Sequence, residues 1–445
     1  MKQQPPFLPR KSSPSMLYRA WVFVGLLLMS VPVTAQPKEA YDLAPVNYSR
    51  AKDDNTITRL QAAMDEQRRT LPGSDSRQIL KALLDELNIP VASQTLVFSK
   101  TSKQRDLISP TNPRVLYFNQ DFYVGYVPGG IIEVIACDDL KGMMFYSFDT
   151  SLPQEKRRFE RTTTCLSCHS NANTHDVPGL LVRSVYPEKD GQPLLDWGSF
   201  ITTPASPMSE RWGGWYVTGK HGDDKHMGNK WMTLSTDGKK QFREQDGQNV
   251  QDLSDYLNTD AYLTNTSDIV ALMVMEHQIE VHNVLSSVRM NYLRRVYLSR
   301  AMHDGQFDPK DESSAKMIRT HVSEVLKALL FANETPLLGD GVQGSEAFTQ
   351  VFSKRGKSYN DWSLRDLRLQ KRMFKYRCSY MIHSASFKML PEPVKSETLR
   401  QLHAILTKDL KLSGLPELSR REKERIHLIL LNTHEGYQKA ASEAP

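Results

Sequence analysis

The sequence predicts an α+β chain with a β-rich middle region and a mainly α-helical C-terminal half. Three observations predict it. Between about residues 94 and 220, short β-branched and aromatic runs are separated by Pro-Gly, Asn-Gln and Asp-Asp turns. From Ser267 onward, apolar residues recur at helical spacing almost to the end. With 39% apolar residues in a chain of 445, there is enough material to bury a sizeable core.

The elements follow in order. Lys2, Arg10, Lys11 and Arg19 form a basic leader without an acidic residue, followed by the apolar run Trp21 to Val33 and then Val33-Thr34-Ala35. This is the pattern of a secretory signal peptide over residues 1–35. A retained anchor is the alternative, but 13 mainly apolar residues are short for a membrane span, so no stable span is expected after cleavage. Removing the leader takes four charges from the formal +6 and leaves +2, which gives a nucleic-acid-binding reading little support. Four cysteines in so long a chain exclude a disulfide-stapled scaffold.

A mixed α/β region is expected over 36–260 and a helical region packed on it over 261–445. Within the first, helices are predicted at 58–70 and 76–87. Strands are predicted at 115–118, 122–126, 131–135 and 143–146, with weaker ones at 180–186 and 215–218. Residues 219–260, rich in Gly and Asp, read as loop with short elements. The second region begins with a long helix, Asp268 to Arg300, capped by Ser267, with further helices near 314–333, 363–390, 396–411 and 418–437.

The chemistry-bearing motif is Cys165-Leu166-Ser167-Cys168-His169, which is Cys-x-x-Cys-His, the attachment signature of c-type haem. Thiols three residues apart suit thioethers to the two vinyl groups of one porphyrin, and the imidazole that follows suits the proximal position on the iron. The reading is therefore one covalent haem c, held by Cys165 and Cys168, with His169 on the iron. A thioredoxin-like redox pair or a plain disulfide gives the histidine no role, and a structural zinc site wants a second ligand pair at short spacing. Export agrees with the haem reading, because covalent haem of this type is attached outside the cytoplasm.

For the distal ligand, Met227 is the candidate, 58 residues after His169, with His226 and His221 as rivals and an open iron as the further alternative. His175 is close in sequence but too near the attachment turn to reach the opposite side. The long helix carries Glu276, His277, Glu280, His282 and Asn283 in a run that must be buried. Such a cluster serves as a satisfied polar network, as a haem-side proton relay, or as the source of a distal His277. His277 and His282 diverge around the helix and do not share a metal. Cys137 and Cys378 read equally as two buried thiols or as one bridge. The paired indoles of Arg211-Trp212-Gly213-Gly214-Trp215-Tyr216 suit core packing or a haem edge.

On these residues the chain resembles the exported monohaem c-type cytochromes (cytochrome c domain-containing proteins) of planctomycetes and marine proteobacteria. The resembling segments are Pro113 to Asn119, Tyr123 to Gly130, the haem box with Val177 to Val185, Arg211 to Gly219, Ser267 to Gln278 and Cys378 to Ile382. They span about residues 80–392. The resemblance implies haem binding and electron transfer, and it assigns residue roles only to Cys165, Cys168 and His169. The expected function is a periplasmic electron-transfer cytochrome serving a redox partner protein. The alternatives are a haem-dependent oxidoreductase, peroxidase-like, on a small substrate, and a haem-based sensor. A length of about four simple carriers favours the oxidoreductase, whereas the single Cys-x-x-Cys-His box sets the dihaem peroxidases aside.

Overall fold

A computed structural model describes residues 39–138 and 140–443. The leader therefore lies outside the described residues. Two helices come first, α1 (Thr56–Asp65) and α2 (Ser76–Glu86), followed by strands β1 (Thr95–Val97), β2 (Arg114–Phe118), β3 (Phe122–Tyr126), β4 (Ile132–Asp138), β5 (Gly142–Phe148) and β6 (Phe159–Arg161). The one-turn helix α3 (Leu166–His169) precedes β7 (Val182–Val185), β8 (Ser199–Thr202), β9 (Trp215–Tyr216), β10 (Thr233–Leu234) and β11 (Lys240–Gln241). The helical half holds α4 (Ile269–Met302), α5 (Glu312–Leu329), α6 (Glu346–Lys354), the short pair β12 (Ser358–Tyr359) and β13 (Trp362–Ser363), then α7 (Ala385–Lys388), α8 (Glu392–Thr407), α9 (Arg420–Thr433) and α10 (Glu435–Ser442). The architecture is thus α+β, as expected.

The main sheet is seven-stranded and antiparallel, in the order β6-β5-β4-β3-β2-β1-β9. Strands β1 to β6 form a meander, and β9 returns to the far edge. Opposed residues point the same way, so the register sorts the two faces. The row Tyr117, Val124, Val134, Tyr146 points to one face. There Tyr117 donates to Gln94, and Tyr146 meets Asp53 and Asn55, the N-cap of α1. The row Phe118, Tyr123, Ile135, Phe145 points to the other. That face is covered by α4 through His282 against Tyr123, by α6 through Phe348 against Phe118, and by α7 through Ser386 at Cys137. The ring of His169 also lies on it, against Phe145.

Helix α4 is 34 residues long and is buried on all sides from Ile269 to Gln278, which is why its apolar residues show no single stripe. From Ala40 onward the chain forms one compact unit.

Two sequence expectations are corrected. The cap of α4 is Asp268, whose Oδ1 accepts the Ala271 N–H at 2.9 Å, and not Ser267. Ser267 instead donates to the Tyr216 carbonyl and accepts the Leu96 N–H, tying β9 to β1. The helix predicted at 363–390 is not one helix: most of the segment is irregular and ends in a 3₁₀ turn at Tyr380–His383 and the four-residue α7. Three of its arginines have long-range partners that an exposed helix face would not reach. Arg365 lies over the rings of Phe352 and Tyr380 at 4.8 and 4.3 Å, while Arg372 and Arg377 pair with Glu422 at 3.1 and 2.9 Å. The segments missed from sequence are short: β1, β6, β8, the β12–β13 pair, α6 and α10.

Candidate functional site

Thr163 and Cys165 start a helical turn at the end of the β6 connection. The Cys165 carbonyl accepts the N–H groups of Cys168 and His169 at 3.1 and 3.0 Å. Positions i, i+3 and i+4 of a helical turn are neighbours, so Cys165 stands beside both Cys168 and His169, while the adjacent Cys168 and His169 diverge by about 100° around the turn. Both thiols are free, with Cys165 half-buried and Cys168 exposed.

His169 is held in one tautomer. Its Nδ1 lies 3.0 Å from the Gly179 carbonyl oxygen, which can only accept, so the neutral ring carries its proton on Nδ1 and leaves the Nε2 lone pair free. Burial lowers the imidazole pKa below its usual value, against the opposing pull of the Gly179 carbonyl. Gly179 also donates its own N–H to the His169 carbonyl at 2.9 Å, so the two residues are bonded twice. A side chain at 179 would not fit: a Cβ there would stand 2.4 Å from Asn283 Oδ1 and 3.0 Å from Thr174 Cβ. The next residue, Leu180, is held through both backbone groups by the Asn283 amide on α4, at 3.0 and 2.7 Å. A free imidazole nitrogen oriented by a hydrogen bond on its other nitrogen is the arrangement that metal-ligating histidines use.

Beside the turn, Arg114 and Glu133 form an ion pair with both side chains 18% exposed. Burial raises the Cys165 thiol pKa, with Glu133 adding to the rise and Arg114 opposing it. Arg114 Nε is buried without a hydrogen-bond partner. The turn therefore presents two thiols, a neutral imidazole with a free nitrogen, and a neighbouring guanidinium with an unspent N–H. Among the described residues, no group of three or more His, Cys, Asp and Glu side chains converges to hold a bare metal ion.

Met227 is placed elsewhere. It is buried, its sulfur accepts from the Ser184 hydroxyl at 3.6 Å, and its methyl group packs toward Gly213. Among the described contacts, none joins it to residues 165–169. Its rivals are also engaged in that neighbourhood: His226 accepts the Gly228 N–H at 3.0 Å, and His221 donates to the Asp224 carbonyl and accepts the Asn249 N–H. His175, six residues after His169, reaches Glu280 on α4 at 3.8 Å.

The polar residues of α4 reach separate places. Glu276 accepts from Arg211 at 2.8 Å, Thr202 at 2.6 Å and Trp212 at 3.1 Å. Burial pushes its carboxyl pKa up, and the Arg211 charge pulls it back. His277 bonds Ser379 at 2.7 Å and stacks on Phe331. His282 lies between Ser386 and the Gln120 carbonyl. Glu276, His277, His282 and Asn283 are buried with hydrogen-bond partners that tie α4 to its neighbours, whereas Glu280, expected in the same buried run, has its side chain 34% exposed. Cys137 and Cys378 are both free; Cys137 contacts the Ser386 hydroxyl at 3.3 Å, and Cys378 is fully buried.

Sequence reasoning missed Gly179, Leu180 and Asn283 as the support of His169, and Arg211 and Thr202 as partners of Glu276. Gly179 stands ten residues from His169, a spacing that carries no pattern of its own. Among the described residues, no helix is long and apolar enough to cross a membrane. Comparison with protein-family models, with curated proteins and with solved structures finds no match for the chain.

Proposed function

We propose that the chain is an exported, periplasmic c-type cytochrome that carries one covalent haem and transfers electrons to or from a partner protein. The observation that carries the reading is the Cys165–His169 turn, with its two free thiols on one side and His169 Nε2 left open by the Nδ1 bond to Gly179. The donor set fits the group. Cys165 and Cys168 would hold it as thioethers, His169 would ligate the iron, and the unspent Arg114 Nε–H suits an anionic substituent such as a haem carboxylate. When bound, haem supplies a one-electron redox centre. The protein's part is to orient His169 through Gly179 and to anchor that support on α4 through Asn283.

A second reading, a haem-dependent oxidoreductase on a small substrate, is favoured by the engagement of Met227 with Ser184 away from the turn. Spectra of the exported, purified protein test both. The expected result is haem that stays with the chain after denaturation and is absent from the C165A/C168A double variant. Haem that survives denaturation in that variant overturns the attachment. Low-spin iron indifferent to cyanide and peroxide selects the carrier, and high-spin iron that binds them selects the oxidoreductase.

A further inference from the structure

A cavity of about 640 Å³ lies apart from the haem box, between the β7–β8 hairpin, the β10–β11 hairpin and the chain around 335–338. This is the size of a small-molecule site. One wall is aromatic. Tyr186 packs edge-on against Phe242 at 4.9 Å and lies 6.0 Å from Trp197, which is 47% exposed. Lys230 lines the same cavity and is only 5% exposed.

The lysine is the informative residue. Its Nζ donates to the Glu244 carbonyl at 2.8 Å and sits 5.3 Å over the Phe242 ring. Among the described residues no carboxylate pairs with it, so a buried ammonium has one hydrogen-bond acceptor for three N–H donors. Burial lowers its pKa to about 8, with Asp246 and Glu244 opposing at longer range. A buried cation left in this state is costly, and an anion in the cavity would relieve it. Asp224, at the rim, already accepts the Leu338 N–H. The rings are tilted to one another, 75° between Tyr186 and Phe242 and 52° between Tyr186 and Trp197, so beside the charge they offer ring faces and edges against which an aromatic body, unlike an inorganic ion, can stack or pack edge-on.

We propose that this cavity binds a small planar organic anion, an aromatic or unsaturated carboxylate, with its carboxylate at Lys230 and its ring against Tyr186, Phe242 and Trp197. The site does not depend on the haem reading, and its test needs no haem. The full chain is titrated with benzoate by calorimetry and by tryptophan emission, with cyclohexanecarboxylate and benzyl alcohol as comparisons. Expected are saturable binding of benzoate with Kd below about 1 mM, weaker binding of both comparison compounds, and a loss of about tenfold or more in K230M. W197A, at a position whose residue is 47% exposed, weakens binding severalfold and abolishes the emission change. Several results overturn the proposal: no saturable benzoate binding up to about 10 mM, equal affinity for cyclohexanecarboxylate, or wild-type affinity in a folded K230M. Should K230M not fold, wild-type affinity in W197A overturns it.

Discussion

The Asn283 side chain on α4 holds both backbone groups of Leu180, accepting its N–H at 3.0 Å and donating to its carbonyl at 2.7 Å. The residue before Leu180 is the one that fixes the His169 tautomer, so α4 supports the Cys165–His169 turn at one remove.

Replacing Asn283 with alanine leaves a buried N–H and a buried carbonyl without partners. The expected cost is about 2–4 kcal/mol from two unsatisfied groups, read as a lowered urea midpoint. Amide exchange at Leu180 should speed up more than exchange in the main sheet.

Arg211 and Glu276 form an ion pair whose side chains are 5% and 0% exposed. R211M strands a buried carboxylate with only Thr202 and Trp212 as donors, at an expected cost of about 3–5 kcal/mol. The double variant R211M/E276L should recover only part of that loss, since no buried charge remains but Thr202 Oγ1 and Trp212 Nε1 lose their acceptor. Urea unfolding of the single and double variants checks both statements.

His277 gives the stability a pH dependence. Burial, and after it the nearby His282, push its pKa down to about 3, and its contacts are Ser379, Phe331, Phe374 and Tyr380. An unfolded histidine takes up its proton near pH 6.5, whereas the folded one stays neutral down to about 3. Stability contributed by this residue is therefore present above the unfolded value and lost as pH falls from 6.5 toward 3. The slope is about 1.4 kcal/mol per pH unit within that window. His282 and His226, both lowered by burial, act with the same sign. In H277Q the acid limb of a stability–pH profile should be shallower by that slope.

The four thiols should differ in reactivity while they carry no group. Cys168 is exposed, Cys165 is half-buried with its pKa raised by burial, and burial pushes Cys137 and Cys378 up to about 12. Alkylation of the native chain followed by mass spectrometry should find Cys168 first and Cys165 next. Cys137 and Cys378 should react only after unfolding.

Much of the framework was legible in the residues. The strands at 115–118 and 122–126, α2 and the burial of α4 follow from side-chain type and period, which act over a few residues. The segment 363–390 was not legible, because Arg365, Arg372 and Arg377 take partners on α6, α9 and the 3₁₀ turn, and those contacts outweigh local helix propensity. The cap of α4 was misassigned by one residue for the same reason: Ser267 is used by β1 and β9.

The sequence by itself determined that two thiols and an imidazole share one turn, since a spacing of three and four residues within a helical turn leaves them no other relation. It also determined the α+β division, through the change of period near residue 267. Tertiary structure alone decided which nitrogen of His169 stays free, where Met227 goes, and which partners Glu276 and Asn283 take. Those outcomes rest on contacts such as Leu180 with Asn283 and Arg211 with Glu276, 103 and 65 residues apart. At such separations no period links the partners, and the choice is made by packing and by the cost of leaving a buried polar group unpaired.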